Sequence, residues 1–189
     1  MKNHSTHSTL SLWTFAAIAC LSSPHLLTAE NFPASYQIED SLSEKRGEYR
    51  YVYRLFFELY DAAFFAVQSA QNEDILNAEV PFHLSFRYLR TIDKSIIIES
   101  ADKMLARNLS PTELKSIAER VDKINAAYTT VEDGDRSSLT YIPSVGTILK
   151  INGMPVATIV GQDFAKLYFQ IWLGENPISA AMKAVLFGE

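Results

Sequence analysis

Arg90 closes an alternating stripe. Leu84, Phe86, Tyr88 and Arg90 occupy every second position, which places them on one face of a strand, with Ser85, Arg87 and Leu89 on the other. A guanidinium at the end of an apolar stripe suits a ligand with a carboxylate and an alkyl tail. The planar fork of donors takes the headgroup, and the aromatic face takes the chain. The same arginine is equally suited to an ion pair with Asp93 or Asp61. Tyr88 and Tyr60 read as core tyrosines with one satisfied hydroxyl as readily as ligand contacts. Trp172, at helical spacing, reads as core, and Asp135 as a carboxylate that serves the turn before a strand.

Other chemistries find few residues to carry them. Of the four histidines only His83 lies beyond residue 29, and the single cysteine is Cys20. No calcium-loop spacing, nucleophile motif beside a histidine base, or Gly-rich phosphate loop is present. The sequence therefore calls for no metal and no cofactor.

The elements that must position these residues follow from periodicity. Residues 49–67 are dense in aromatics on both faces of a period-two ribbon, which predicts a strand covered on both sides. A short helical turn is expected over 72–78 and a strand over 82–90, begun by Pro81. Ile97, Ala101, Met104 and Leu105 form one helical stripe. Ser110-Pro111-Thr112-Glu113 starts the next helix with a capping box and a proline at its first position. Leu139 and Tyr141 alternate with polar neighbours as in a half-buried strand. Asn152-Gly153 turns a hairpin between strands over 147–151 and 156–160. Phe164, Leu167, Tyr168, Ile171 and Trp172 fall at helical spacing before Gly174, and Ile178, Ala181, Met182, Val185 and Leu186 repeat it. The segregation of strands and helices predicts an α+β fold with helices on a largely antiparallel sheet.

The first residues read as an export signal. Lys2 is the only charged side chain before Glu30, an apolar run spans residues 10–21, and Pro24 and Leu27-Thr28-Ala29 follow. The run is too short for a bilayer-spanning helix, so no integral span is expected in the mature protein. Cleavage after Ala29 is favoured over lipidation at Cys20, whose preceding Ala17-Ile18-Ala19 is a loose lipobox. Either route places the protein in the periplasm or outside the cell. Cleavage takes 29 of 189 residues and leaves 160, enough for one domain with a real core. Removing Lys2 from 17 Lys+Arg leaves 16 against 22 Asp+Glu, a formal charge of -6. The charges are interspersed, with no basic stripe, which argues against a nucleic-acid partner. Nothing in the sequence selects an oligomeric state. The polar stretch over 40–48 reads as a loop, so residues 30–48 form an N-terminal strand and loop ahead of a domain over 49–189.

The order of local sequences is more specific than the fold class. Leu55-Phe56-Phe57-Glu58-Leu59-Tyr60-Asp61-Ala62-Ala63-Phe64-Phe65, then Leu84-Ser85-Phe86-Arg87-Tyr88-Leu89-Arg90, Asn108-Leu109-Ser110-Pro111, Gly134-Asp135, Gly146-Thr147, Asn152-Gly153, Asp163-Phe164 and Ile171-Trp172-Leu173-Gly174 occur in that order. Together they resemble the bacterial chalcone-isomerase-like proteins over most of residues 49–188. The resemblance implies an open-faced β-sandwich, a curved antiparallel sheet with helices packed on one face and a cleft between them.

The resemblance also frames the function. The plant enzymes of this fold close a flavanone ring, using an arginine before the aromatic strand, a threonine within it and a tyrosine on a later helix. Here Tyr60 stands at the threonine position and Val52 at the arginine position, with Arg50 and Arg54 two residues to either side. Ile96-Ile97-Ile98 occupies the tyrosine position. The cyclisation set is not reproduced. A second branch of the fold binds fatty acids without turnover, through an arginine on the strand resembling residues 82–90 assisted by a tyrosine. Arg90 matches that arginine, with Tyr88 or Tyr60 as second donor. The sequence thus points to an exported, non-catalytic carrier or sensor of a fatty-acid-like or other small amphipathic acid or lipid. The alternatives are an isomerase of intramolecular-lyase type acting on an enone or flavonoid-like substrate, and an interaction module whose cleft is filled by its own side chains.

Overall fold

The computed structural model describes residues 32–54 and 56–188; the export pattern and Cys20 lie outside them. Among the described residues seven strands pair in sequence order, each antiparallel to the next: β1 (Ser35–Ile38), β2 (Ser41–Tyr53), β3 (Phe57–Ala66), β4 (Phe82–Tyr88), β5 (Arg136–Ile142), β6 (Gly146–Ile151) and β7 (Met154–Ile159). Helix α1 (Asn72–Leu76) joins β3 to β4. Helices α2 (Lys94–Asn108) and α3 (Pro111–Ala127) join β4 to β5, and α4 (Gln162–Tyr168), α5 (Gln170–Leu173) and α6 (Ala180–Phe187) follow β7. The architecture is the expected α+β one, a curled antiparallel half-barrel with helices.

Side-chain alternation builds two clusters across the sheet. Tyr60, Ala62, Phe64 and Ala66 of β3 and Phe82, Leu84, Phe86 and Tyr88 of β4 face the helices and join the main core. Ala63 and Phe65 point to the second face, where Phe32 and Tyr36 cover them. The curl brings Tyr36 of β1 against His83 of β4, ring on ring at 3.8 Å. Burial on both faces explains why β3 is apolar almost throughout.

Local signals account for the helix ends. Ser110 Oγ accepts from the Glu113 backbone N–H at 3.3 Å, and Glu113 returns a carboxylate oxygen to the Ser110 N–H at 2.8 Å. Asn152 and Gly153 both take positive φ, 49° and 81°, as the tight β6–β7 hairpin requires. Asp135 accepts from the Glu132 N–H at 2.8 Å and the Asn152 side-chain amide at 2.9 Å, tying two turns together as a turn carboxylate should.

Three expectations need correction. The aromatic segment over 49–67 is not one strand but the hairpin of β2 and β3, paired from Glu44 against Ala66 to Tyr53 against Phe57. The polar stretch over 40–48 is not a loop, since β2 begins at Ser41 and pairs with both β1 and β3. Strand β4 ends at Tyr88 rather than Arg90. Beyond it the Leu89 N–H turns to the Leu59 carbonyl at 3.0 Å, and the Gly134 N–H caps the Tyr88 carbonyl at 2.9 Å.

Candidate functional site

A cavity of about 640 Å³ lies between the sheet and helices α2 and α5. Its floor is the cross-strand pair Tyr60 and Tyr88 with Phe86 beside them. Ile97, Ala101 and Met104 of α2 form one wall, and Ile171 and Trp172 of α5 another. The helical stripes read from sequence as core thus line a space. The volume falls in the ordinary range for small-molecule sites, about 300–1,000 Å³.

The polar groups of the interior are mainly tyrosine hydroxyls. Tyr88 shares a hydrogen bond with Ser137 Oγ at 2.9 Å. Tyr60 and Trp172 face the same space. Tyr128 and Tyr168 line the same space. Burial pushes all four hydroxyls up from their ordinary pKa, that of Tyr88 to about 12. At neutral pH they are therefore donors and acceptors, not bases. A wall of this kind can bind and orient a ligand; it supplies no phenolate.

The mouth is where charge enters. Arg90 lies there with Thr91, Glu99, Ser100 and Lys103. Its guanidinium stacks 5.2 Å from the centre of the Phe57 ring and is exposed. Among the described residues it has no ion pair. Asp61 pairs instead with Arg50 at 2.7 Å and Arg87 at 3.6 Å, and Asp93 stands at the N-terminus of α2. The structure brings Arg90, Tyr88 and Tyr60 to one cavity, with Arg90 at the rim and the tyrosines inside. Trp172 belongs to the core and to the cavity wall at once.

The positions compared with the isomerases fall differently. Arg50 donates to Asp61 and Glu58 and does not line the cavity. Arg54 stacks on Tyr53 at the end of the β2–β3 hairpin. Ile96 and Ile97 line the cavity with apolar side chains. Sequence reasoning missed Tyr128, which ends α3, and the contribution of Tyr168. A signal was present: the stripe Ile117, Val121, Ile124 continues at Tyr128. Nothing local marks Lys103, one turn beyond Glu99, as a residue of the mouth.

Comparison with known proteins agrees with this fold. A family model described as chalcone isomerase-like matches residues 47–188. No curated protein matches the chain. Among solved structures, a crystal structure of a fatty-acid binding protein from Arabidopsis thaliana is similar, with a TM-score of 0.63 over 83% of this chain and 91% of that one. The two are 13% identical in sequence, so the likeness is one of fold.

Proposed function

The chain belongs to the chalcone isomerase-like family, and from that premise we propose that it is a non-catalytic carrier of a fatty-acid-like acid. The carboxylate sits at the mouth against Arg90 and the tail runs inward past Phe86, Met104 and Trp172. The observation that carries this reading is the pairing of an aromatic and aliphatic cavity of about 640 Å³ with an arginine at its opening that has no ion pair among the described residues. Tyr88 already shares a hydrogen bond with Ser137, so an alkyl tail can pass it without stranding its hydroxyl. Tyr60 offers a second hydroxyl in the interior to a headgroup drawn deeper. The similarity to a fatty-acid binding protein supports the reading at the level of fold. The N-terminal pattern adds export; intact mass of protein from its native host, beginning at Glu30 or a lipidated Cys20, tests that part.

Calorimetric titration with saturated long-chain acids tests the binding. Saturable one-to-one binding is expected, with affinity rising with chain length until the cavity is filled. Ala101→Trp places a large side chain in the cavity and is expected to abolish binding while leaving the circular dichroism spectrum unchanged. A parent chain that binds no acid of any length would sink the proposal.

A further inference from the structure

The cavity opens beside an exposed aromatic patch. The end of the β2–β3 hairpin carries Tyr53, Arg54, Phe56 and Phe57. Phe56 is 83% exposed, Phe57 46% and Tyr53 45%, and Ile96 of the facing α2 is 51% exposed. Hairpin ends ordinarily take Gly, Asn or Asp. Here Arg54 holds the left-handed conformation at φ 49°, and the tip is aromatic. Tyr53, Phe57 and Ile96 also line the opening, so the patch and the mouth are continuous.

Cations accompany the aromatics. Arg54 lies 5.2 Å from the Tyr53 ring centre and Arg90 5.2 Å from that of Phe57, with Lys103 at the same mouth. Glu99 is the carboxylate among them, while nearby Glu58 is engaged by Arg50. The rim is thus locally positive on a chain whose formal charge is -5.

We propose that this rim docks on a lipid bilayer bearing anionic headgroups, so that an acid passes between bilayer and cavity without crossing bulk water. Aromatic rings settle at the boundary of headgroups and acyl chains, and arginines pair with phosphate through their planar fork. A protein partner fits less well. A stable protein interface needs a fully buried apolar centre, and here the centre of the ring is an opening into a cavity. A bilayer needs only the ring. The passage of acid rests on the carrier reading above; the docking does not.

The test compares the full chain with Phe56→Asp and Arg54→Gln. Both side chains lie outside the cavity lining, so affinity for the acid in solution should be unchanged. The apolar run over residues 10–21 is common to all three chains, and its own affinity for vesicles cancels in the comparison. Each chain is loaded with a fluorescent long-chain acid and mixed with vesicles of phosphatidylcholine, with or without phosphatidylglycerol. Transfer is expected to quicken with vesicle concentration and with phosphatidylglycerol, and to slow by about tenfold in either variant. Transfer independent of vesicle concentration, or equal in parent and variants, overturns the proposal. So does Phe56-dependent self-association in sedimentation without a vesicle effect, which assigns the patch to a second copy of the chain. Cosedimentation of unloaded chains separates the two ideas. Phe56-dependent binding to anionic vesicles without acid binding keeps the docking and sinks the carrier; acid binding without it sinks the docking alone.

Discussion

Two residues show how placement decides what a charged group does. Arg90 and His83 both belong to the β4 region, but one reaches the cavity mouth and the other is buried on the second face. Because Arg90 is exposed, its bond to a carboxylate is partly screened by water. Arg90→Ala is expected to weaken acid binding by about 1–2 kcal/mol, the low end for a charge-assisted hydrogen bond. The loss should shrink as salt rises, and Arg90→Lys should restore part of it, since an ammonium cannot form the two-pronged contact. Trp172 lines the cavity, so its fluorescence reports the titration; equal affinities in Arg90→Ala and the parent at low salt would take Arg90 out of the site. His83 is the opposite case. It is 2% exposed, stacked on Tyr36, and its Nδ1 lies 2.7 Å from Thr140 Oγ1. Burial, with Lys150 nearby, lowers its pKa to about 3 from an ordinary 6.5. The unfolded chain therefore takes up a proton below pH 6.5 that the folded chain refuses. The stabilisation is complete above pH 6.5 and drains away as pH falls toward 3, by about 2 kcal/mol at pH 5. Urea melts between pH 7 and pH 4 should show this slope, and His83→Gln should flatten it relative to the parent; parallel profiles would mean that His83 titrates alike in both states.

At the scale of elements, the decisive structure is the β2–β3 hairpin, and it was the least legible in the sequence. A hairpin is normally announced by turn residues, and residues 53–57 contain none. The polar composition of residues 40–48 hid a strand because β2 is only half-buried on its faces, so no apolar alternation marks it. Helices were legible where caps and stripes agree, as at Ser110 and Gly174, and the β6–β7 hairpin where Asn152-Gly153 sits. One contact that fixes β2 is invisible locally. Gly47 lies beside a register shift, and a Cβ built there would come within 1.9 Å of the Val185 carbonyl oxygen of α6. The residue is needed for close approach of helix to strand, so even a methyl group must push α6 outward. Gly47→Ala should destabilise the fold by about 1–3 kcal/mol, the usual toll of overpacking. Thermal melts of the two chains measure it, and an unchanged melting temperature would show that α6 yields without loss.

At the scale of the molecule, fold and site differ in how they are written. The fold follows from many short signals in a fixed order, each tied to a turn, cap or alternation. The cavity depends on what remains empty between α2, α5 and the sheet, which no stretch of sequence encodes. Alternation could group Leu84, Phe86 and Tyr88 on one face, and it did; it could not say that Tyr128 and Tyr168 would meet behind them. That distribution bears on chemistry as well as binding. Ring closure of a chalcone needs a phenolate held by a cation and donors for the enone oxygen. Here Arg50 is taken up by Asp61 and Glu58 away from the cavity, Ile96 and Ile97 line it with hydrocarbon only, and burial keeps the tyrosines protonated. Loss of a single transition-state donor commonly lowers a rate about a hundredfold to a thousandfold, and here neither Arg50 nor Arg54 is among the lining residues and positions 96 and 97 of α2 present no hydroxyl. The chain is expected to leave chalcone cyclisation at its uncatalysed rate between pH 6 and pH 8, followed by absorbance with and without protein. Saturable turnover that disappears in Ala101→Trp would place a catalytic site in this cavity and reverse the reading of it as a carrier's.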